Sequence, residues 1–293
     1  MKLKSALLAA LMLLTLLGGC SETEYAQVAA TTLPVYEFTA ALCSGTGITV
    51  TRLVTENVSC LHDYSLNVSQ VRAAEAAQLV VISGAGLDGF IDDLSVEDAN
   101  IIDSSHGIDL LGCQEHHGHE DHDHGHDHQT DAHIWLSPAN AKAMAENICR
   151  GLCARYPEHR QTFEANLMAL NEKLDALQAY GEAQLSQLQC RELITFHDGF
   201  SYLAHAFDLT ILESIEEESG SEASAQELIH LIGLVREHRL PAVFTETNGS
   251  VSAADIICAE TGVCAYTLDM GMGQRGYFEA MYHNIDTIRE ALG

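Results

Sequence analysis

The sequence predicts an α/β protein with two α/β lobes, each built on a parallel sheet, joined by one long rigid α-helix. Three observations carry this. Short apolar, β-branched runs alternate with helical patterns in both halves of the chain, the sign of parallel βαβ units. Between the halves lies a long stretch with helical periodicity and no turn signal. Nearly half of the 293 residues, 47%, are apolar, enough to bury a core of that size.

In order, Tyr25–Thr31 reads as strand, Val35–Ser44 as helix, Ile48–Val54 as strand and Val68–Ala77 as helix. Leu79–Ser83 follows as strand, Leu87–Leu94 as helix and Asn100–Asp103 as a last short strand. Pro138 stands where proline is tolerated at a helix start, opening Ala139–Tyr156. After Pro157, Glu158 to Leu188 reads as one helix of about 30 residues, roughly 45 Å at 1.5 Å per residue. The second half repeats the pattern. Arg191–Phe196, Thr210–Ser214, Ala242–Thr245 and Val263–Leu268 read as strands, and Phe200–Ala206, Ala223–His238, Ser252–Glu260 and Tyr277–Leu292 as helices.

The first twenty residues have the proportions of a secretory signal: Lys2 and Lys4, the apolar run Ala6–Leu17, then Leu17-Gly18-Gly19-Cys20. The ending resembles a bacterial lipobox, which makes Cys20 the expected lipidated residue. No other segment approaches the roughly 20 apolar residues of a membrane helix. The expected division is therefore signal peptide 1–20, first lobe 21–157 with a mobile His-rich loop at 114–130, connecting helix 158–189 and second lobe 190–293. Beyond Cys20, eight cysteines remain; Cys258 and Cys264 are the expected bridge, whereas Cys149 and Cys153, four apart on a helix, read as packing residues. The formal charge of −28 excludes nucleic acid as a partner, since phosphate binding needs a basic footprint.

Ligands bind outside the carboxyl ends of parallel strands. His62 follows the Ile48–Val54 strand, and His133 stands before an apolar segment at the foot of the long helices. His197 follows Arg191–Phe196 in ELITFHDGF, Glu246 follows Ala242–Thr245 in AVFTETNG, and Asp269 follows Val263–Leu268 in VCAYTLDMGMG. Imidazoles plus a carboxylate are what tetrahedral Zn²⁺ accepts. The remaining single histidines, His106, His159, His205, His230, His238 and His283, read as structural, and Met270 and Met272 as pocket lining. Seven more, His116, His117, His119, His122, His124, His126 and His128, crowd a run of glycine and acidic residues. Such a run cannot bury enough surface to order itself. Ordering it would cost roughly 1–2 kcal/mol per residue, so it is expected to be an auxiliary, weaker metal loop.

The stretches His62-Asp-Tyr64, QVRAAEAAQLVVISGAGLDGFIDDL, DAHIWLSP, FHDGFSYLA, SEASAQELIHLI, FTETNG and LDMGMG resemble the metal-binding lipoproteins of bacterial zinc and manganese ABC importers, along almost the whole mature chain. The resemblance implies metal ligation by His62, His133 and His197, with Asp269 as the fourth ligand in the interlobe cleft. Glu246 or water is the alternative fourth ligand, and Glu246 otherwise orients an imidazole. The chain departs from the family at Leu61 and Met270, where prolines are usual. The implied function is high-affinity Zn²⁺ capture without catalysis and delivery to a membrane permease and its ATPase. The protein is then a lipid-anchored monomer at the outer face of the cytoplasmic membrane, and limited closure on binding is expected from a single stiff connector. Mn²⁺ is the alternative metal, a zinc hydrolase the weaker alternative, and an additional adhesin role is compatible with capture.

Overall fold

The computed structural model describes residues 25–56, 61, 64–112, 130–215, 223–247 and 249–293. Cys20, His62 and the seven clustered histidines lie outside the described residues. The first lobe contains β1 (Val28–Ala30), α1 (Leu33–Cys43), β2 (Val50–Arg52), α2 (Val68–Ala76), β3 (Leu79–Ile82) and β4 (Ile101–Asp103). Its four strands are all parallel, in the order β2-β1-β3-β4. After α3 (Pro138–Arg155) and a single 3₁₀ turn, α4 (Arg160–Leu185) runs 26 residues, about 39 Å.

The second lobe contains β5 (Glu192–Thr195), α5 (Ser201–Ala206), β6 (Thr210–Ser214), α6 (Ala225–His238), β7 (Ala242–Glu246), α7 (Ser252–Thr261), β8 (Cys264–Leu268) and α8 (Tyr277–Leu292). Its strands are also all parallel, in the order β6-β5-β7-β8.

Local chemistry explains the boundaries. Asn67 caps α2 by accepting the Ser69 and Gln70 amides while Gln70 reaches back to the Asn67 amide, a reciprocal capping box. Ser224 and Glu227 repeat the device at α6. Ser137 accepts the Asn140 amide at the start of α3, and Pro138 occupies the first turn, where its missing N–H is not needed. Gly262, at φ 81°, ends α7 in the left-handed conformation that glycine adopts without strain.

Side chains alternate across each sheet, because strand period is two. In β1 and β3, Val28, Ala30, Leu79 and Val81 face the main core, while Ala29 and Val80 face a smaller cluster with Leu53, Ala74 and Ile91. In β5 and β7, Leu193, Ala242 and Phe244 face the main core, while Ile194 and Val243 pack beneath α6 and α7 with Leu231, Val235 and Ile257. The main core is continuous through both lobes. Leu170, Leu174 and Leu177 of α4 join Phe38 and Leu42 of α1 to Met281, Ile285 and Ile288 of α8.

Three expectations need correction. The Leu87–Leu94 helix is only a 3₁₀ turn, Gly89–Ile91. Gly84, Ala85 and Gly86 all have positive φ before it, and the Asp88 carboxylate is taken by the Gly84 amide at 2.7 Å. Cys258 and Cys264 are free thiols: Cys258 packs half-buried against the second-lobe cluster, whereas Cys264 is exposed on the edge strand β8. Glu246 is the last residue of β7 rather than the first after it. The packing role read for Cys149 and Cys153 holds; both are buried free thiols with sulfurs 4.0 Å apart.

Candidate metal centre

His133 is placed by the turn that precedes α3. Asp131 Oδ1 accepts both the His133 amide and His133 Nδ1, each at 2.8 Å, so one carboxylate fixes backbone and ring together. A 3₁₀ turn, Ile134–Leu136, then carries the chain into α3, its three side chains fully buried. Burial pushes the Asp131 carboxyl up, but the ring and amide of His133 outweigh it and leave the group below its ordinary 3.8. With Nδ1 occupied, Nε2 of His133 points away from Asp131. It is buried and has no hydrogen-bond partner among the described residues.

His197 follows β5, with its ring centroid 5.2 Å from that of His133 and nearly perpendicular to it, at 81°. Its Nδ1 lies 3.8 Å from Oε2 of Glu246, which sits at the end of the neighbouring strand β7 and is 5% exposed. Each imidazole therefore turns Nδ1 toward a buried carboxylate and its Nε2 edge the other way. Metal-binding histidines show this arrangement, with the outer carboxylate fixing ring orientation.

Gly199 keeps the two rings close. A Cβ there would lie 2.6 Å from Met270 Cε, 2.7 Å from His197 Cδ2 and 2.8 Å from His133 Nδ1. Met270 and Met272 are both buried in the main core.

Asp269 follows β8. Its backbone is held by Asn284 of α8 through two hydrogen bonds of 2.7 Å, one in each direction. Its Oδ1 accepts the Gly271 amide at 2.8 Å, and its Oδ2 lies 3.7 Å from Arg275 Nη1. Among the described residues no three His, Cys, Asp or Glu side chains are grouped closely enough to hold a metal; the contacts are pairwise, His133 with His197, His197 with Glu246, and Asp269 with Arg275.

The two lobes meet around this centre. Trp135 Nε1 donates to the Met270 carbonyl at 2.8 Å, and Tyr277 donates its hydroxyl to the Trp135 carbonyl at 2.9 Å. The Tyr202 hydroxyl donates to the Asp131 carbonyl at 3.0 Å and accepts the Leu111 amide at 2.9 Å. Asp131, Gly199, Trp135, Tyr202 and Tyr277 were not among the residues singled out from the sequence. Four of them had a signal there: Asp131 and Trp135 lie in DAHIWLSP around His133, and Gly199 and Tyr202 in FHDGFSYLA around His197.

The histidines read as structural lie apart from this pair. His230 pairs with Glu213 at 3.4 Å, His238 with Glu192 at 2.9 Å, and His283 meets the Thr267 carbonyl at 3.2 Å. His106 and His205 are exposed. Leu61, standing where the resembling family has proline, is 2% exposed in the main core.

The chain is 32% identical over 274 residues to the zinc-binding lipoprotein AdcA of Streptococcus pneumoniae, covering 90% of this chain and 54% of that protein. It thus spans about half the length of that relative. It is 27% identical over 259 residues to the iron-binding protein YfeA of Yersinia pestis, covering 84% of this chain and 80% of that protein. The crystal structure of ZnuA superposes with a TM-score of 0.78 at 29% identity, over 92% of this chain and 100% of that one. With 28–291 matched by its profile, the chain belongs to the family of the periplasmic component A of zinc-uptake complexes.

Proposed function

We propose that the chain is an extracytoplasmic receptor that captures Zn²⁺ with high affinity between its lobes and hands it to the permease of an ATPase-driven importer, performing no chemistry. In this reading His62, His133 and His197 bind the ion, Asp269 completes the site, and Asp131 and Glu246 orient the rings. The observation that carries it is His133 Nε2, buried without a hydrogen-bond partner among the described residues. Burying such a nitrogen unsatisfied costs about 1–3 kcal/mol, and a metal ion is the partner that would satisfy it. A mainly imidazole donor set suits zinc, whereas Mn²⁺ is served better by oxygen. The zinc-binding name of AdcA supports the same choice, and YfeA marks the wider range of metals among relatives.

The AdcA name also supports lipid anchoring through Cys20, and the described residues contain no helix long and apolar enough to cross a membrane. The hydrogen bonds through Trp135, Tyr202 and Tyr277 and the continuous core favour small closure on binding.

The test is a competitive zinc titration against a chromophoric chelator, with 114–130 present and deleted. One tight site retained after deletion supports the pocket, at a Kd near nanomolar, about −12 kcal/mol. Loss of tight binding would assign capture to the histidine-rich segment instead. Affinity should also fall between pH 7.5 and 5.5, because protons compete for imidazole nitrogens, which titrate near pH 6.5 in general.

A further inference from the structure

The carboxylate expected to complete the site already has a cation. Asp269 Oδ2 faces Arg275 Nη1 at 3.7 Å, with the Asp269 side chain 7% exposed and Arg275 42% exposed. The same guanidinium has a second acceptor waiting: its Nε lies 3.8 Å from Oε1 of Glu279, itself 74% exposed on the first turn of α8. The surrounding backbone is fixed, since Asn284 holds both the amide and the carbonyl of Asp269 and Trp135 holds the carbonyl of Met270. Only the partner of Oδ2 is left free to change.

Building on the receptor reading, we propose that Arg275 is an internal competitor for the metal. It neutralises Asp269 while the ion is away and moves to Glu279 when the ion takes the carboxylate. A guanidinium and a divalent cation cannot share one carboxylate edge in a largely buried site without strong repulsion. A half-exposed cation gives up such a pair at small cost, more so when another carboxylate is in reach. Arg275 thereby sets affinity below the maximum the ligands would give and speeds release, which suits a receptor that must surrender its cargo.

The experiment measures zinc Kd by chelator competition and zinc release by stopped flow into excess chelator. It uses the full chain and its Arg275→Gln, Asp269→Asn and double variants. Arg275→Gln should tighten zinc about two- to fivefold, the factor matching a half-exposed ion pair, and slow release by a similar factor. In the Asp269→Asn background the same substitution should have no effect. Arg289→Gln, on the far part of α8 beside Asp286, should leave Kd unchanged. Unchanged or weaker binding in Arg275→Gln overturns the inference. So does equal tightening in both backgrounds, which would mean a general field rather than competition. Wild-type affinity in Asp269→Asn removes Asp269 from the ligand set and the inference with it, whereas wild-type affinity in His133→Ala overturns the receptor reading itself.

Discussion

The first sheet, β2-β1-β3-β4, and the second, β6-β5-β7-β8, place their strands in the same order, all parallel, and differ at the strand ends. The first ends in hydroxyls: Thr31, Ser83 and Ser104 follow β1, β3 and β4, and the Thr32 hydroxyl bonds that of Ser83 at 2.8 Å. Beside them Asp88 is buried, its carboxyl pushed up to about 6 by loss of solvent despite the Gly84 amide. The second sheet ends in His197, Glu246 and Asp269. One scaffold thus appears twice, and the chemistry lies in what its strand ends carry. Among the described residues, the first lobe's buried imidazole nitrogen without a hydrogen-bond partner lies elsewhere, at His133 Nε2 in the turn before α3.

The largest effect should come from His133 itself. His133→Ala should lower zinc affinity by more than 100-fold in chelator competition, exceeding the roughly 10- to 100-fold that losing an outer carboxylate costs. A change under tenfold would put the first lobe's contribution elsewhere.

Next come the two carboxylates that face the imidazole rings, one in each lobe. Asp131→Asn and Glu246→Gln should each weaken zinc about 10- to 100-fold. Asp131→Asn should be the worse, because its ring contact is 2.8 Å against 3.8 Å for Glu246. The reverse order would show that the second lobe dominates coordination.

Gly199→Ala comes third. The added methyl has no room between His133, His197 and Met270, so stability should fall by about 1–3 kcal/mol in urea unfolding, with weaker zinc binding alongside. Unaltered stability would mean the ring pair separates freely.

The smallest effect belongs to the first sheet. Asp88 has a folded pKa, about 6, above its ordinary 3.8. Its stabilising contribution is therefore present below pH 3.8 and lost as pH rises through about 6. Asp88→Asn should flatten that part of the stability–pH curve, measured by urea midpoints between pH 4 and 7, and leave zinc affinity unchanged. An unchanged slope would mean another group titrates there.

The alternation of elements was legible in the chain because parallel strands buried on both faces read as apolar runs bounded by turns, and helices carry their caps locally. Asn67 with Gln70, Ser224 with Glu227, and Pro138 show that kind of information, within four residues of where it acts. His133 and His197 were legible through their motifs, and the structure does bring them together. What Leu87–Leu94 would become was not, because three successive positive φ values and the capture of Asp88 by Gly84 override a weak helical pattern. The free thiols of Cys258 and Cys264 likewise depend on which way each side chain faces, not on a spacing of six.

By itself, then, the sequence determined the class of fold and the family likeness and named four candidate ligands, since these rest on local periodicity and on short motifs, several of them at strand ends. Only the tertiary structure decided which carboxylate holds which imidazole, that Gly199 must lack a side chain, and that Arg275 stands on Asp269. Those facts join residues from 2 to 71 positions apart in the chain, and the contact that brings Trp135 to Met270 spans 135. Contacts of that range leave no periodic trace, because they are set by how the packed elements meet.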